Sequence, residues 1–511
     1  MAENTKPFMP GSGVCPGQTT GRGILDDAVS LIRGDRFLSY DFNSNTLTHW
    51  GAAKLQEPAA GSYRGVLSKL IFNALPGAFS GTSSYALLPF YRPDAAREIL
   101  KGNNVLHLYE LSRPPSDPVR NITGGNEFLV GWDGPKRHVP RSKSLQKLFF
   151  DENYKKTAAA FFSTSFQKLI EKNSLAKVKS RRSLDVVRDV TNIAPVLWLA
   201  ERFAIPLKTA ENPRGVLSIY ETLTVYITLF LYQNFNIRLA EEWRLRETTM
   251  KAAEPLRNIF QTHLKTQSGA VEHLVDWLAK GSAFEVGPHA GRLYHGLRDT
   301  KLPIEELFAD CIGIGTPIVG HLTQQASLLI DLYLRSEYEE SRKRIIQLAQ
   351  MNNSASQQEL QGFVFEGMRH ANSIPGLSRV TARDVTIVDG ARGSIFIVAG
   401  QTVLIATSVA TMDPVAFPEP GKIDLHRPFK DYSTIFGSGL HYCFGQQLAS
   451  ARLATMLREV FKLKNVRCVP GKQGVLIIFE HSVAGVKMKK YLDASSREAE
   501  IPTSLTLHYD G

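Results

Sequence analysis

The chain has 511 residues, 43% of them hydrophobic and 21% charged, with a formal net charge of +11. That length supplies ample core, and a length prior alone allows two to four domains of ordinary size. The composition is that of a soluble globular protein, with nothing low-complexity beyond the first two dozen residues. The positive charge is spread along the chain. Clusters such as Lys177-Val178-Lys179-Ser180-Arg181-Arg182 read as solvated surface before they read as a docking patch, and no nucleic-acid motif is present. Four widely scattered cysteines, Cys15, Cys311, Cys443 and Cys468, argue against a disulfide scaffold and for a reducing compartment.

Residues 1–23 are rich in Gly, Pro and Thr and hold no apolar run, so they read as neither a signal peptide nor a membrane anchor. The most apolar window downstream, residues 223–232, is far short of the roughly 20 residues a bilayer requires, and reads as a buried helix. Residues 184–207, with Leu197-Trp198-Leu199-Ala200 and Pro206 as punctuation, read as a buried helical pair. Residues 215–262 are aromatic-rich and helical by pattern.

From Ile304 to Leu334 small or apolar residues keep a helical period through Phe308, Cys311, Gly315, Val319, Leu322, Ala326, Leu329 and Tyr333. One helix of roughly 45 Å is implied, at about 1.5 Å per residue. Its middle reads Ile312-Gly313-Ile314-Gly315-Thr316-Pro317. Each glycine costs about 1 kcal/mol there and the proline about 3, so something must offset the loss. The alternative is a break, with Thr316 capping a second helix that begins at Pro317; the unbroken period argues against it.

Glu366 and Arg369 lie at i and i+3 and can pair on one helical face. They are followed by Pro375-Gly376-Leu377-Ser378-Arg379, Asp413-Pro414, Phe417-Pro418 and Asp424-Leu425-His426-Arg427. Then comes Phe436-Gly437-Ser438-Gly439-Leu440-His441-Tyr442-Cys443-Phe444-Gly445, with a helical run from Gln446 to Lys462 behind it. A cysteine just before a helix faces that helix's unpaired N–H groups, which favour a thiolate. Gly439 and Gly445 suit a backbone that bends sharply and approaches something flat. One cysteine without a CxxC or a histidine pair does not make a zinc site. One thiolate is enough for haem iron.

This segment resembles the cysteine loop of the cytochrome P450 family, Phe-x-x-Gly-x-Arg/His-x-Cys-x-Gly, with Phe436, Gly439, His441, Cys443 and Gly445 in its slots. The resemblance implies a mainly α fold with small β-sheets and haem b bound through Cys443. It implies that Glu366 and Arg369 lock to Arg427 behind the haem, and that Arg379 and His441 reach its propionates. The stretch from Lys136-Arg137-His138 to Lys143 sits where a helix contacts the other propionate, without the family's Trp-x-x-x-Arg pattern. Residues 215–262 fall in the mobile roof over the substrate. The family's central helix carries Ala/Gly-Gly-x-Asp/Glu-Thr on the distal face. Gly313 and Thr316 match; Gly315 replaces the acid that with the threonine delivers protons. Asp310 lies about 240° round the helix from Thr316 and cannot simply substitute. Ile312, Gly313, Gly315 and His321 are the expected pocket residues and Thr316 the expected catalytic one.

Residues 30–51, with Arg33-Gly34-Asp35-Arg36-Phe37 and Leu47-Thr48-His49-Trp50-Gly51, are similar to the junction in fungal linoleate diol synthases, which fuse a fatty-acid dioxygenase to a C-terminal P450 domain. The ending Pro502-Thr503-Ser504-Leu505-Thr506-Leu507-His508-Tyr509-Asp510 looks like the tail of those fusions. The expected organisation is a junction-like extension over residues 1–50 and a haem-thiolate domain over 51–511. In those synthases an Asn-Gln pair on the central helix handles the hydroperoxide; here Gly320-His321-Leu322 stands there, with Gln324 and Gln325 close by. Fungal and animal members usually carry an N-terminal anchor, so its absence leads us to expect a soluble cytoplasmic enzyme, with at most peripheral membrane contact.

The expected function is a monooxygenase acting on a lipophilic small molecule of fungal secondary or oxylipin metabolism, fed by an NADPH-dependent reductase. The alternative is a reductase-independent hydroperoxide isomerase or dehydratase, which Gly315 favours. A haem-binding sensor without turnover is the third reading.

Overall fold

The computed structural model describes residues 88–90, 93–101, 105–107, 122–126, 128–131, 135–150, 154–177, 180–235, 242–265, 288–374, 376–381, 383–389, 393–483, 486–492, 498–499 and 501–511. The junction-like residues 30–51, Cys15, Pro375 and the expected boundary at residue 50 lie outside them.

The fold is built around one helix. The helices are α1 (Pro93–Lys101), α2 (Pro135–Phe149), α3 (Tyr154–Asn173), α4 (Ala194–Phe203), α5 (Ile219–Phe235), α6 (Glu242–Lys265), α7 (Pro288–Asp299), α8 (Ile304–Leu334), α9 (Glu339–Gln350), α10 (Ser354–His370) and α11 (Gln446–Phe461). The 31 residues of α8 run from end to end of the span read from the periodicity, with Pro317 inside it. Thr316 is not a cap. Its Oγ donates to the Ile312 carbonyl at 2.7 Å, an i to i−4 bond of the helix interior.

Helix packing supplies the offset that the glycines require. A Cβ on Gly313 would meet the Phe128 ring at 1.9 Å, one on Gly315 would lie 2.8 Å from Tyr226, and one on Gly320 would lie 2.2 Å from Phe230. Glycine on α8 therefore lets the aromatic face of α5 approach its backbone closely. The apolar window 223–232 is the buried heart of α5, with Leu223, Val225, Tyr226, Ile227, Leu229, Phe230, Leu231 and Tyr232 all enclosed.

The small sheets sit around this helical mass. One has the strand order β1 (Leu88–Phe90), β10 (Thr402–Ile405), β7 (Leu377–Thr381), β2 (Val105–His107), and α1 packs on it in a separate apolar cluster. A second joins β11 (Lys464–Cys468), β15 (Thr506–Asp510), β4 (Arg181–Asp185) and β3 (Leu175–Ala176). Residues 184–207 correct the reading of a helical pair. Their first part is the end of β4 followed by a π-type turn over Val187–Thr191, and only Ala194–Phe203 is an α-helix. The reason is a partner far along the chain. β4 pairs with β15, Asp185 opposite Thr506, and the Asp185 carboxylate accepts from Ser504 Oγ at 2.6 Å and from Leu505 N at 3.1 Å. A buried strand and a buried helix share the same apolar composition, so only the partner decides.

Gly-to-Ala inside a helix normally stabilises by about 1 kcal/mol. Gly320→Ala should do the reverse, losing about 1–3 kcal/mol because the Phe230 side chain is met at its base, where it cannot swing away. Chemical unfolding measures it; an unchanged midpoint would mean that α5 and α8 are not in close contact here.

Candidate active site

The cysteine loop begins with backbone turns that only glycine takes without strain: Gly437 has φ 80° and Gly439 φ 70°. Gly445 does not belong with them, since its φ of −93° is ordinary; it caps α11, and a Cβ there would meet nothing within 4 Å. The Cys443 N–H donates to the Phe436 carbonyl at 2.7 Å and closes the loop, with the Phe436 ring buried edge-on against Phe365. Burial pushes the Cys443 thiol up, while the N–H groups of Gly445 and Gln446, at the start of α11, pull it down; burial wins. Yet Cys443 is exposed. Both hold when the sulfur sits deep in the protein and looks into open space.

That geometry fits one class of group. Among the described residues no cluster of three His, Cys, Asp or Glu could hold a metal ion. A metal that brings its other ligands with it, as the iron of a haem does, needs from the chain only one thiolate such as that of Cys443. A cation facing the sulfur also reverses the desolvation that raises its pKa.

α8 is enclosed along nearly its whole middle and opens at two positions one turn apart, Pro317 and His321. Ile312, Gly313, Gly315 and Thr316 are all buried, with Gly313 set close against Phe128 and Gly315 against Tyr226. Asp310 is also buried and is tied to Arg141 of α2, although burial still raises its carboxyl to about 7. His321 makes no hydrogen bond to a described residue, and its Nε2 is buried without a partner. Burial first, and then the charge of Arg452, lowers its pKa to about 4. An acid at 315 has no room, since its Cβ alone would press on Tyr226.

Glu366 and Arg369, one turn apart near the end of α10, form a fully buried pair, with Arg369 Nε donating to Oε1 at 3.1 Å and Nη2 to Oε2 at 2.8 Å. Arg427 Nε lies 3.4 Å from Glu366 Oε1, Tyr432 Oη donates to Oε1 at 2.8 Å and Asp424 N to Oε2 at 2.9 Å. Burial acts to raise the Glu366 carboxyl, but Arg369 and these other donors hold it below its usual range. Arg369 also donates to the carbonyls of Thr411, Pro420 and Lys422. The network thus fastens the segment leading to the cysteine loop onto α10. The i, i+3 spacing pointed to the pair; nothing in the sequence pointed to Tyr432 or Asp424.

Arg379 is buried on β7, opposite His107 and Val403. On α2, Lys136, Arg137 and Lys143 are exposed, and the inward positions are His138 and Arg141. The His138 and His441 rings meet edge to face at 4.9 Å, so α2 touches the cysteine loop through a histidine. A further residue that sequence reasoning missed is Arg452 of α11, fully buried, whose Nη1 and Nη2 donate to the carbonyls of Ile318 at 3.0 Å and Thr191 at 3.3 Å.

A mainly helical fold with small sheets and a glycine-bent cysteine loop at the start of a helix is the arrangement found in haem-thiolate proteins. Residues 334–492 match the family model for Cytochrome P450. Among solved structures, P450BioI in complex with hexadec-9Z-enoic acid ligated acyl carrier protein shares the fold at a TM-score of 0.60 and 15% identity, covering 86% of this chain and 97% of that one. The bifunctional dioxygenase–epoxy alcohol synthase of Fusarium oxysporum is 29% identical over 93% of this chain and 39% of its own length. Psi-producing oxygenase A of Emericella nidulans is 29% identical over 100% of this chain and 50% of its own. The chain therefore spans half or less of these relatives. Residues 334–492 thus match the cytochrome P450 family model, and the fold of the described residues is that of solved P450 structures. No helix among the described residues is long and apolar enough to cross a membrane.

Two outcomes follow from this geometry. Glu366→Gln strips the charge from between two buried guanidinium groups and should cost about 3 kcal/mol or more in urea unfolding; a loss under about 1 kcal/mol would show that the network holds nothing in place. Below pH 6.5 an unfolded chain takes a proton on His321 that the folded chain refuses until about pH 4. Stability should therefore fall with pH in that window. Between pH 6.5 and 5 the wild type should lose about 1.5 kcal/mol more than His321→Gln; parallel curves would count against a buried neutral imidazole.

Proposed function

We propose that this chain is a haem-thiolate enzyme that oxidises a lipophilic, fatty-acid-derived small molecule, with haem b held by Cys443. The observation that carries the reading is the Cys443 sulfur, deep in the protein, open on one side and facing two backbone N–H groups on the other. When bound, haem supplies a redox-active iron whose thiolate ligand favours O–O cleavage.

The protein's own residues have separable tasks. Gly445 and Gln446 N–H stabilise negative sulfur, and the open space at Gly445 lets a flat ring system lie against the loop. Phe436 and Gly439 shape the loop from behind. Arg379 and His441 are the charged or polar donors for carboxylates of the ring system, since ionic hydrogen bonds to carboxylate are the strong kind. Glu366, Arg369 and Arg427 keep the approach to the loop in register. Pro317 and His321, the open positions of α8, are assigned to the wall that a substrate meets, where an apolar pocket would exclude water from the reacting carbon. The relatives' names, a dioxygenase–epoxy alcohol synthase and a psi-producing oxygenase, support an oxylipin-type substrate.

The oxidising equivalent is dioxygen with electrons from an NADPH-dependent reductase. One observation favours the alternative, a peroxide already carried by the substrate. Thr316 is enclosed and spends its hydroxyl on Ile312, and Asp310 is tied to Arg141, so neither is free to relay protons into the hollow.

Reduced protein with carbon monoxide should show the red-shifted Soret band of a thiolate adduct, and Cys443→Ala should abolish it. A band that survives the substitution, or is missing from the wild type, removes the proposal. A fatty-acid hydroperoxide mixed with the haem-loaded protein should persist without reductase. Its consumption there would move the assignment to the peroxide reading.

A further inference from the structure

Arg452 of α11 is a costly side chain to hold. It is fully buried, its Nη1 and Nη2 donate to the carbonyls of Ile318 and Thr191, and its Nε is enclosed without a partner. Its Cζ lies 5.3 Å from the centroid of the Phe162 ring. The next acid on the same face of α11 is Glu459, two turns on, and its oxygens accept from Ser163 and Gln167 of α3 instead. Among the described residues no carboxylate acts on Arg452; burial alone lowers its pKa to about 9, which leaves the guanidinium charged at neutral pH. A buried cation without a counter-charge is unfavourable, and a group of that kind calls for a use.

Its position supplies one. α11 starts beside the sulfur, where the N–H groups of Gly445 and Gln446 act on Cys443. Arg452 lies six residues beyond Gln446, about 9 Å along the helix axis at 1.5 Å per residue. From there its side chain reaches α8 at Ile318, one residue past Pro317. The guanidinium therefore sits between the helix that begins at the thiolate ligand and the long central helix. Its field extends along α8, because the charge of Arg452 helps to hold down the His321 pKa. The positive end of the α11 dipole, at the sulfur, acts in the same sense.

We propose that Arg452 is an electrostatic tuning residue for the iron that Cys443 holds, raising its reduction potential so that a one-electron donor reduces it more readily. The inference rests on the haem-thiolate reading and adds the residue that sets how easily the centre accepts its electron. In that step the NADPH-dependent reductase gives up one electron and ferric iron becomes ferrous, so the site gains one unit of negative charge. A fixed cation nearby stabilises the more negative form, and net charge is one of the terms that set such potentials. Unit charges about 10 to 15 Å apart, at an effective dielectric constant of about 20, shift an equilibrium of this kind about five- to fifteenfold. Arg452 touches neither substrate nor ring system; it acts through its charge.

Dye-mediated redox titration of the haem-loaded full chain tests this, with the carbon monoxide band reporting thiolate ligation in each variant. Arg452→Gln keeps a donor and drops the charge, Arg452→Met drops both, and Arg452→Lys keeps the charge. The Gln and Met variants should each shift the ferric–ferrous equilibrium about five- to fifteenfold toward ferric, a fall of about 40 to 70 mV at 59 mV per tenfold. The Lys variant should stay within about twofold of the wild type. A Gln variant within about twofold of the wild type overturns the inference. So does a Lys variant that falls as far as Gln, since packing and not charge would then set the potential. Loss of the thiolate band in both uncharged variants overturns it too, because Arg452 would then be a strut on which assembly of the site depends. Absence of that band from the wild type removes the haem-thiolate reading and this inference together.

Discussion

A sulfur atom that is to carry negative charge inside a protein must be surrounded by donors on one side and offered a cation on the other, because burial alone drives the thiol to its neutral form. Cys443 shows half of that arrangement in the chain itself. Gly445 and Gln446 turn their N–H groups toward it, and the rest of the loop exists to hold it there. The positive φ values of Gly437 and Gly439 and the hydrogen bond from Cys443 N to Phe436 set the position of the sulfur to the start of α11. The Glu366 network sets the position of the loop to α10. A single carboxylate takes two arginines, a tyrosine and a backbone N–H, which satisfies its oxygens and makes a buried charge tolerable.

The opposite wall obeys a different constraint. α8 gives up helix propensity at Gly313, Gly315, Pro317 and Gly320, and close contact with Phe128, Tyr226 and Phe230 offsets the cost at the glycines. Pro317 is the exception, exposed on the helix surface. Proline has no N–H, so the carbonyl one turn back loses its helical donor there. Arg452 stiffens the next turn by donating to the Ile318 carbonyl, and it also reaches Thr191 in the π-type turn before α4. One buried side chain thus ties three segments, α8, α11 and the stretch that follows β4. The same cation stands behind His321, so the mechanical tie and the electrostatic bias have one source.

Buried charge elsewhere shows how far tertiary context can redirect a residue. Asp310 and Arg141 pair across 169 positions of sequence, which removes both from work in the hollow. α2 instead meets the cysteine loop through His138, whose ring stands edge-on to His441. Tyr226 keeps its hydroxyl enclosed and without a partner against Gly315. It fills the space that an acid at 315 would need, so the missing acid and the aromatic roof are one feature.

Local pattern alone was enough to identify the long helix, the buried apolar heart of α5, the glycine-bent cysteine loop and the Glu366–Arg369 pair. Each depends on periodicity, on a backbone conformation or on neighbours three or four residues apart, and such features are written in contiguous residues. The character of residues 184–193 was decided elsewhere, by β15 some three hundred residues later. So was the open side of α8. Periodicity says that a helix has faces, but not which face meets Phe230 and which is left open. Thr316 and Gly315 are enclosed, while Pro317 and His321 lie open. Which charges pair, Asp310 with Arg141 and Arg452 with bare carbonyls, was likewise settled only by packing, because in a folded interior the partner of a charge is whichever group the rest of the chain brings near it.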